Sequence, residues 1–139
     1  MMKKTDIEVS PIGFVHTEAK QVPKFWTESE VEGKLILESA FSLGMKDIVP
    51  NQRIEVIFYF HKSVQFSPGY LTQYPRGDTK RSKKGVFSTR SPVRPNPLGV
   101  SVLTVTAVEG NIIYVTNLDM IDGTPILDIK PARDSLSVE

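Results

Sequence analysis

Short runs of alternating apolar and polar side chains, broken up by ten prolines and nine glycines, constrain this chain more than any other feature. Val31 to Glu38 alternates charged with apolar residues, and Arg53 to His61 sets Ile54, Val56, Phe58 and Phe60 on one face. Val100 to Val108 and Ile112 to Leu118 flank Glu109-Gly110-Asn111, the pattern of a β-hairpin. Ile12 to Thr17 and Gly85 to Thr89 read as shorter strands. Only Ser39 to Val49 has the composition of a helix or helical turn, and Gly44 and Pro50 keep it short. The expectation is a mainly β chain of about six strands, a small barrel or sandwich rather than an α/β sheet. At 139 residues it makes one domain, spanning 1–139.

Several chemistries are excluded at once. With no cysteine there is no disulfide, no thiolate nucleophile and no cysteine-ligated zinc, and two histidines cannot supply a three-histidine metal site. No metal is expected. The longest apolar run is Val56 to Phe60, far below the roughly 20 residues of a membrane helix. Met1 to Ser10 is too charged for a signal peptide, so a soluble cytoplasmic protein is expected, with no membrane partner. Neither GxGxxG nor GxxxxGK[ST] occurs, which argues against a Rossmann or P-loop nucleotide site.

The net charge of +1 hides a segregation. From Arg76 to Arg94, seven basic residues are opposed only by Asp78, a local charge of +6. Such a segment is either a solvated loop or a field that attracts phosphates. It runs into Gly85 to Val100, in which Pro92, Pro95 and Pro97 force extended backbone on themselves and their predecessors. The carbonyls of this stiff loop need partners from solvent, side chains or a ligand. Arg90 and Arg94 on a rigid loop are the groups that anion or nucleotide recognition uses. A second unusual segment, Leu118 to Pro131, sets Asp119, Asp122 and Asp128 around Gly123-Thr124-Pro125. These carboxylates can hold a metal, act as bases, bind ribose hydroxyls or simply cap a turn.

GVFSTRSPVRPNPLGVSV, followed after a hairpin by LDMIDGTPILDIKP, resembles the paired signature of the TsaA-like (TrmO) family, and PIGFVHTEAK resembles its first strand. The likeness covers nearly the whole chain. It implies a single small non-Rossmann β-barrel that binds S-adenosylmethionine (AdoMet), forms a homodimer with the ligand near the interface, and methylates N6 of threonylcarbamoyladenosine beside the tRNA anticodon. Longer members continue past the second motif into a smaller domain, where this chain has Ala132 to Glu139, so a short form is expected.

The resemblance also implies a site. Arg90 and Val100 border the cofactor, His61 and Lys62 lie across from it, and Asp119, Met120, Asp122 and Gly123 close the far side. Phe25 and Trp26, with Thr27 beside them, offer an aromatic wall to the sulfonium. A nitrogen that bears a carbamoyl group must lose its proton during attack, which calls for a base. Asp119, Asp122 and His61 are the candidates for that catalytic role, and the residues do not choose among them. Two other functions fit the same features, a non-catalytic RNA-binding barrel and an AdoMet-dependent small-molecule methyltransferase or sensor.

Overall fold

A computed structural model describes residues 5–133, so both ends of the expected 1–139 unit lie outside the described residues. The strands are β1 (Gly13–His16), β2 (Gly33–Leu37), β3 (Arg53–Tyr59), β4 (Thr72–Gln73), β5 (Lys84–Gly85), β6 (Leu98–Glu109), β7 (Ile112–Thr116) and β8 (Pro125–Pro131). Six of them close an antiparallel barrel in the order β1-β2-β7-β6-β3-β8, with β8 pairing back onto β1. β4 and β5 pair only with each other and form an arm outside it.

Closure follows from the period-2 pattern. Val15, Leu35, Leu37, Ile54, Val56, Phe58, Leu103, Val105, Ile113, Val115 and Ile126 all belong to one buried core cluster. In each strand the register puts the apolar set on the core face, where a slip by one residue would turn it out to water. Closing the sheet leaves none of the six strands with an open edge. The barrel among the two expected β architectures is the one formed.

Some elements differ from expectation. Gly85 to Thr89 is not a strand: β5 stops at Gly85, and Val86–Ser88 forms a 3-10 turn whose Val86 carbonyl accepts bonds from both the N–H and the hydroxyl of Thr89. The short helical turn expected between Ser39 and Val49 does form, as a 3-10 helix at Ser39–Met45. Pro125–Pro131, read from sequence only as part of a carboxylate-rich turn, is β8, a full barrel strand pairing with β3 from Ile54 to Phe58.

Candidate functional site

The site lies where the proline loop enters β6. The register Leu98↔Tyr59, Gly99↔Phe58, Val100↔Ile57 and Ser101↔Val56 fixes the start of that strand against β3. The rings of Phe58 and Phe60 meet edge to face, 4.9 Å between centroids, and form the floor. Gly99 has no Cβ because one would collide with both rings. A cavity of about 220 Å³ above this floor is walled by Phe25, Trp26, Arg90, Arg94, Val100, Ser101 and Asp119. It opens into a cleft of about 1000 Å³ that runs past His61, Lys62 and Met120 to a rim of Arg76, Arg81, Lys83 and Lys84.

Asp119 reaches the cavity because of the residue two before it. Asn117 sits at φ +69°, a left-handed conformation that asparagine tolerates better than most. Its side chain accepts a bond from the Thr104 hydroxyl and donates one to the Ser29 carbonyl. The turn sends Leu118 into the core, where its carbonyl accepts a 2.5 Å bond from the Ser29 hydroxyl, and turns Asp119 to the opposite side. There the carboxylate accepts a 2.6 Å bond from the Ser101 hydroxyl and a second from the Trp26 N–H. Burial pushes this carboxyl above the ordinary carboxylate value, although both bonds and the nearby Arg90 favour the charged form. A half-buried acid of raised proton affinity at the end of a cavity can take up a proton.

The stiff loop finds internal partners for its carbonyls. Arg94 donates to the carbonyls of Thr89 and Ser91 at 3.1 and 3.0 Å, and Arg90 donates to that of Val100 at 3.0 Å. Ser63 donates to Pro92, and Gln73 to Val93. Arg94 therefore braces the loop from inside, while Arg90, a wall of both spaces, keeps further donors. Along the larger cleft, burial and then the charge of Lys62 lower the affinity of His61 for a proton, which favours its neutral imidazole.

The structure thus brings Phe25, Trp26, His61, Lys62, Arg90, Val100, Asp119 and Met120 to one continuous space. Three expected residues are placed elsewhere. Thr27 is exposed and lines neither part of the cleft. Asp122 lies over β1, where its carboxylate accepts a bond from the Thr17 N–H and pairs with His16 Nδ1 at 3.1 Å. Gly123, at φ +83°, backs His61 from outside the lining. Asp128 pairs with Lys130 on β8, and among the described residues no group of three metal-binding side chains occurs. Sequence reasoning missed Phe58, Phe60, Gly99 and Ser101 as parts of the site. An inward-facing serine in an otherwise apolar alternation was the available signal.

This geometry has relatives. The chain is 39% identical over 125 residues to a probable S-adenosyl-L-methionine-binding protein of Pyrococcus abyssi, a match that covers 87% of this chain and 65% of that protein. It is 47% identical over 76 residues to a tRNA (adenine(37)-N6)-methyltransferase of Mus musculus, covering 55% of this chain and 17% of that one. The crystal structure of TrmO from Pseudomonas aeruginosa matches 97% of this chain and 62% of its own, with a TM-score of 0.68 and 25% identity. The chain therefore spans less than two thirds of the length of each of these three proteins. Residues 12–136 match the family model of the tRNA-methyltransferase O N-terminal domain, and with the barrel and both motifs in place the chain belongs to that family.

Proposed function

We propose that this chain is an AdoMet-dependent methyltransferase that modifies N6 of adenine 37 in tRNA, with threonylcarbamoyladenosine as the acceptor. The observation that carries this reading is one continuous cleft with an aromatic and carboxylate end at Trp26 and Asp119 and a basic rim at Arg81 to Lys84. The donor set suits AdoMet: aromatic rings for a sulfonium, and a carboxylate and a guanidinium for polar ends. When bound, AdoMet supplies an electrophilic methyl group.

The residues do the rest. Trp26 and Phe25 wall the donor end, and Arg90, held by the Val100 carbonyl, offers a preorganised cation to an anionic or carbonyl oxygen. In-line transfer to nitrogen needs the acceptor held on the methyl axis, which a walled cleft provides. The Asp119 carboxylate takes the N6 proton, aided by the raised proton affinity that burial gives it, while Ser101 and the Trp26 N–H hold it in place. His61, on the wall of the larger cleft and favoured as the neutral imidazole, orients the acceptor. The rim lysines and arginines hold phosphates of the RNA. A two-fold dimer in the cytoplasm completes the reading.

Incubating the chain with AdoMet and tRNA that carries the carbamoylated adenosine, then digesting the RNA for nucleoside mass spectrometry, tests it. One new methyl group on that nucleoside is expected. AdoMet binding with no tRNA product would favour the small-molecule alternative instead.

A further inference from the structure

The arm formed by β4 and β5 does not belong to the barrel, yet its position is fixed. Gln73, in β4, donates from Nε2 to the Tyr70 carbonyl and to the Val93 carbonyl of the proline loop, both at 2.7 Å. This clamp holds Tyr70 and Tyr74, one on either side of Gln73, on the wall of the larger cleft. Both residues are partly open to solvent, Tyr70 at 36% and Tyr74 at 39% exposure. Neither lines the inner cavity with Asp119 and Trp26. Lys83 Nζ lies 5.3 Å from the Tyr74 ring centroid, and Arg81, Lys83 and Lys84 share the same wall. Asp78 alone opposes the positive charge of this segment, and its carboxylate accepts a bond from the Lys80 N–H.

Phosphate binding alone explains the cations but not two exposed rings interleaved with them. Aromatic faces beside cations form the usual platform for unpaired bases, because stacking takes up the base while the cations follow the backbone. Bases in a duplex are already stacked and present only their edges, so a platform of this kind selects single strands and loops. An acidic peptide would satisfy the lysines and arginines but would leave the rings without a flat partner.

Building on the proposed function, we propose that Tyr70 and Tyr74 are the stacking platform for unpaired bases flanking the methylated adenosine. The arm thereby selects a single-stranded RNA loop by the faces of its bases. Recognition by ring faces makes it tolerant of base identity at the flanking positions, whereas loss of the loop itself abolishes it.

The test uses the full chain and two probes of equal length and charge, a stem–loop oligoribonucleotide with 2-aminopurine beside a loop adenosine and a fully paired duplex. Dissociation constants are read against salt for the parent, Tyr74→Ala, Tyr70→Ala and Tyr74→Phe. Each alanine variant is expected to weaken loop binding by about fivefold to a hundredfold, to reduce the change in 2-aminopurine emission, and to leave both duplex binding and the salt slope unchanged. Tyr74→Phe, which keeps the ring, is expected to bind as the parent does, and it guards against misfolding as the cause of a loss. Unchanged loop affinity in both alanine variants, or equal losses on loop and duplex, would overturn the proposal. So would an acidic peptide that displaces the loop and depends on the rings as strongly.

An AdoMet titration on the same samples separates this inference from the reading beneath it. A parent that stacks the loop but takes no AdoMet keeps the platform and defeats the methyl-transfer reading. One that binds AdoMet and ignores loss of the rings defeats the platform alone.

Discussion

The barrel wall and the cleft wall are made by opposite means. Across β3, β6 and β7 the core is repetitive, with Ile54, Val56, Leu103, Val105, Ile113 and Val115 all fully buried and no charged side chain among them. The cleft wall has almost no repetition. It is assembled from the 3-10 turn at Trp26–Glu28, the proline loop, the start of β6 and the turn after β7, joined by single polar contacts such as Ser101 to Asp119 and Arg90 to Val100. A repetitive wall derives stability from many equivalent contacts, so each residue matters for folding and none for chemistry. A wall built from single contacts concentrates function in a few side chains and carries a stability cost for it.

Asp119→Asn should separate the two most sharply. The amide keeps the shape and the bond from Ser101 but cannot accept the N6 proton, so methyl transfer should fall by about 10²- to 10⁴-fold in single-turnover assays. Stability should move the other way. Because folding raises the proton affinity of this carboxyl, its contribution is fully present below its unfolded value of 3.8 and is lost as pH rises through the folded value. The charged carboxylate thus destabilises the fold at neutral pH. The asparagine variant should melt higher than the parent near neutrality, and this advantage should vanish in acid below about pH 4.

In the barrel, Leu103→Ala should do the reverse. Removing a fully buried side chain opposite Ile54 leaves a cavity and should cost about 2 to 5 kcal/mol in urea unfolding, with per-molecule activity of the folded fraction intact. If activity fell as far as stability, the division between the two walls would not hold.

How far each wall can be read from sequence follows from the same contrast. The alternation of Arg53 to His61 and the hairpin at Gly110 led directly to β3, β6 and β7, because a repeating pattern is visible without knowing its partners. β8 was missed since Asp128, Lys130 and two prolines mask its short apolar face at Ile126 and Ile129. In the cleft, Val100 is legible only through the family motif, whereas Arg90 and Asp119 also stand out as a guanidinium on a proline-stiffened loop and an acid beside a turn. Asp122 was grouped with Asp119 because three residues of spacing do not reveal a reversal between them. That reversal is made by the Ile121 carbonyl, which accepts bonds from the N–H and hydroxyl of Thr124 and carries Asp122 over β1. The turn itself is closed locally, but the partner that receives Asp122, the Thr17 N–H, lies 105 residues away in sequence.

Smaller effects sharpen the comparison further. Arg90→Ala should weaken AdoMet binding by about 1.5 to 3 kcal/mol, the range of a hydrogen bond to a charged group, with the barrel still folded by circular dichroism. Arg76 holds an unusual position, at φ +54° with its guanidinium 4.4 Å from the Phe25 ring centroid, and so ties the arm to the donor end of the cleft. Losing an exposed cation–π contact should cost about 0.5 to 1 kcal/mol, so Arg76→Ala should loosen the arm, seen as faster amide exchange in β4 and β5, while the barrel strands exchange as before.

The central claim is that the cleft between Trp26, Arg90 and Asp119 takes the methyl donor, and calorimetric titration with AdoMet tests it most directly. The account predicts saturable binding by the parent, an accompanying rise in melting temperature, and clear weakening in Arg90→Ala. Absence of both heat and stabilisation at millimolar AdoMet, or a parent and Arg90→Ala with equal affinity, would contradict it.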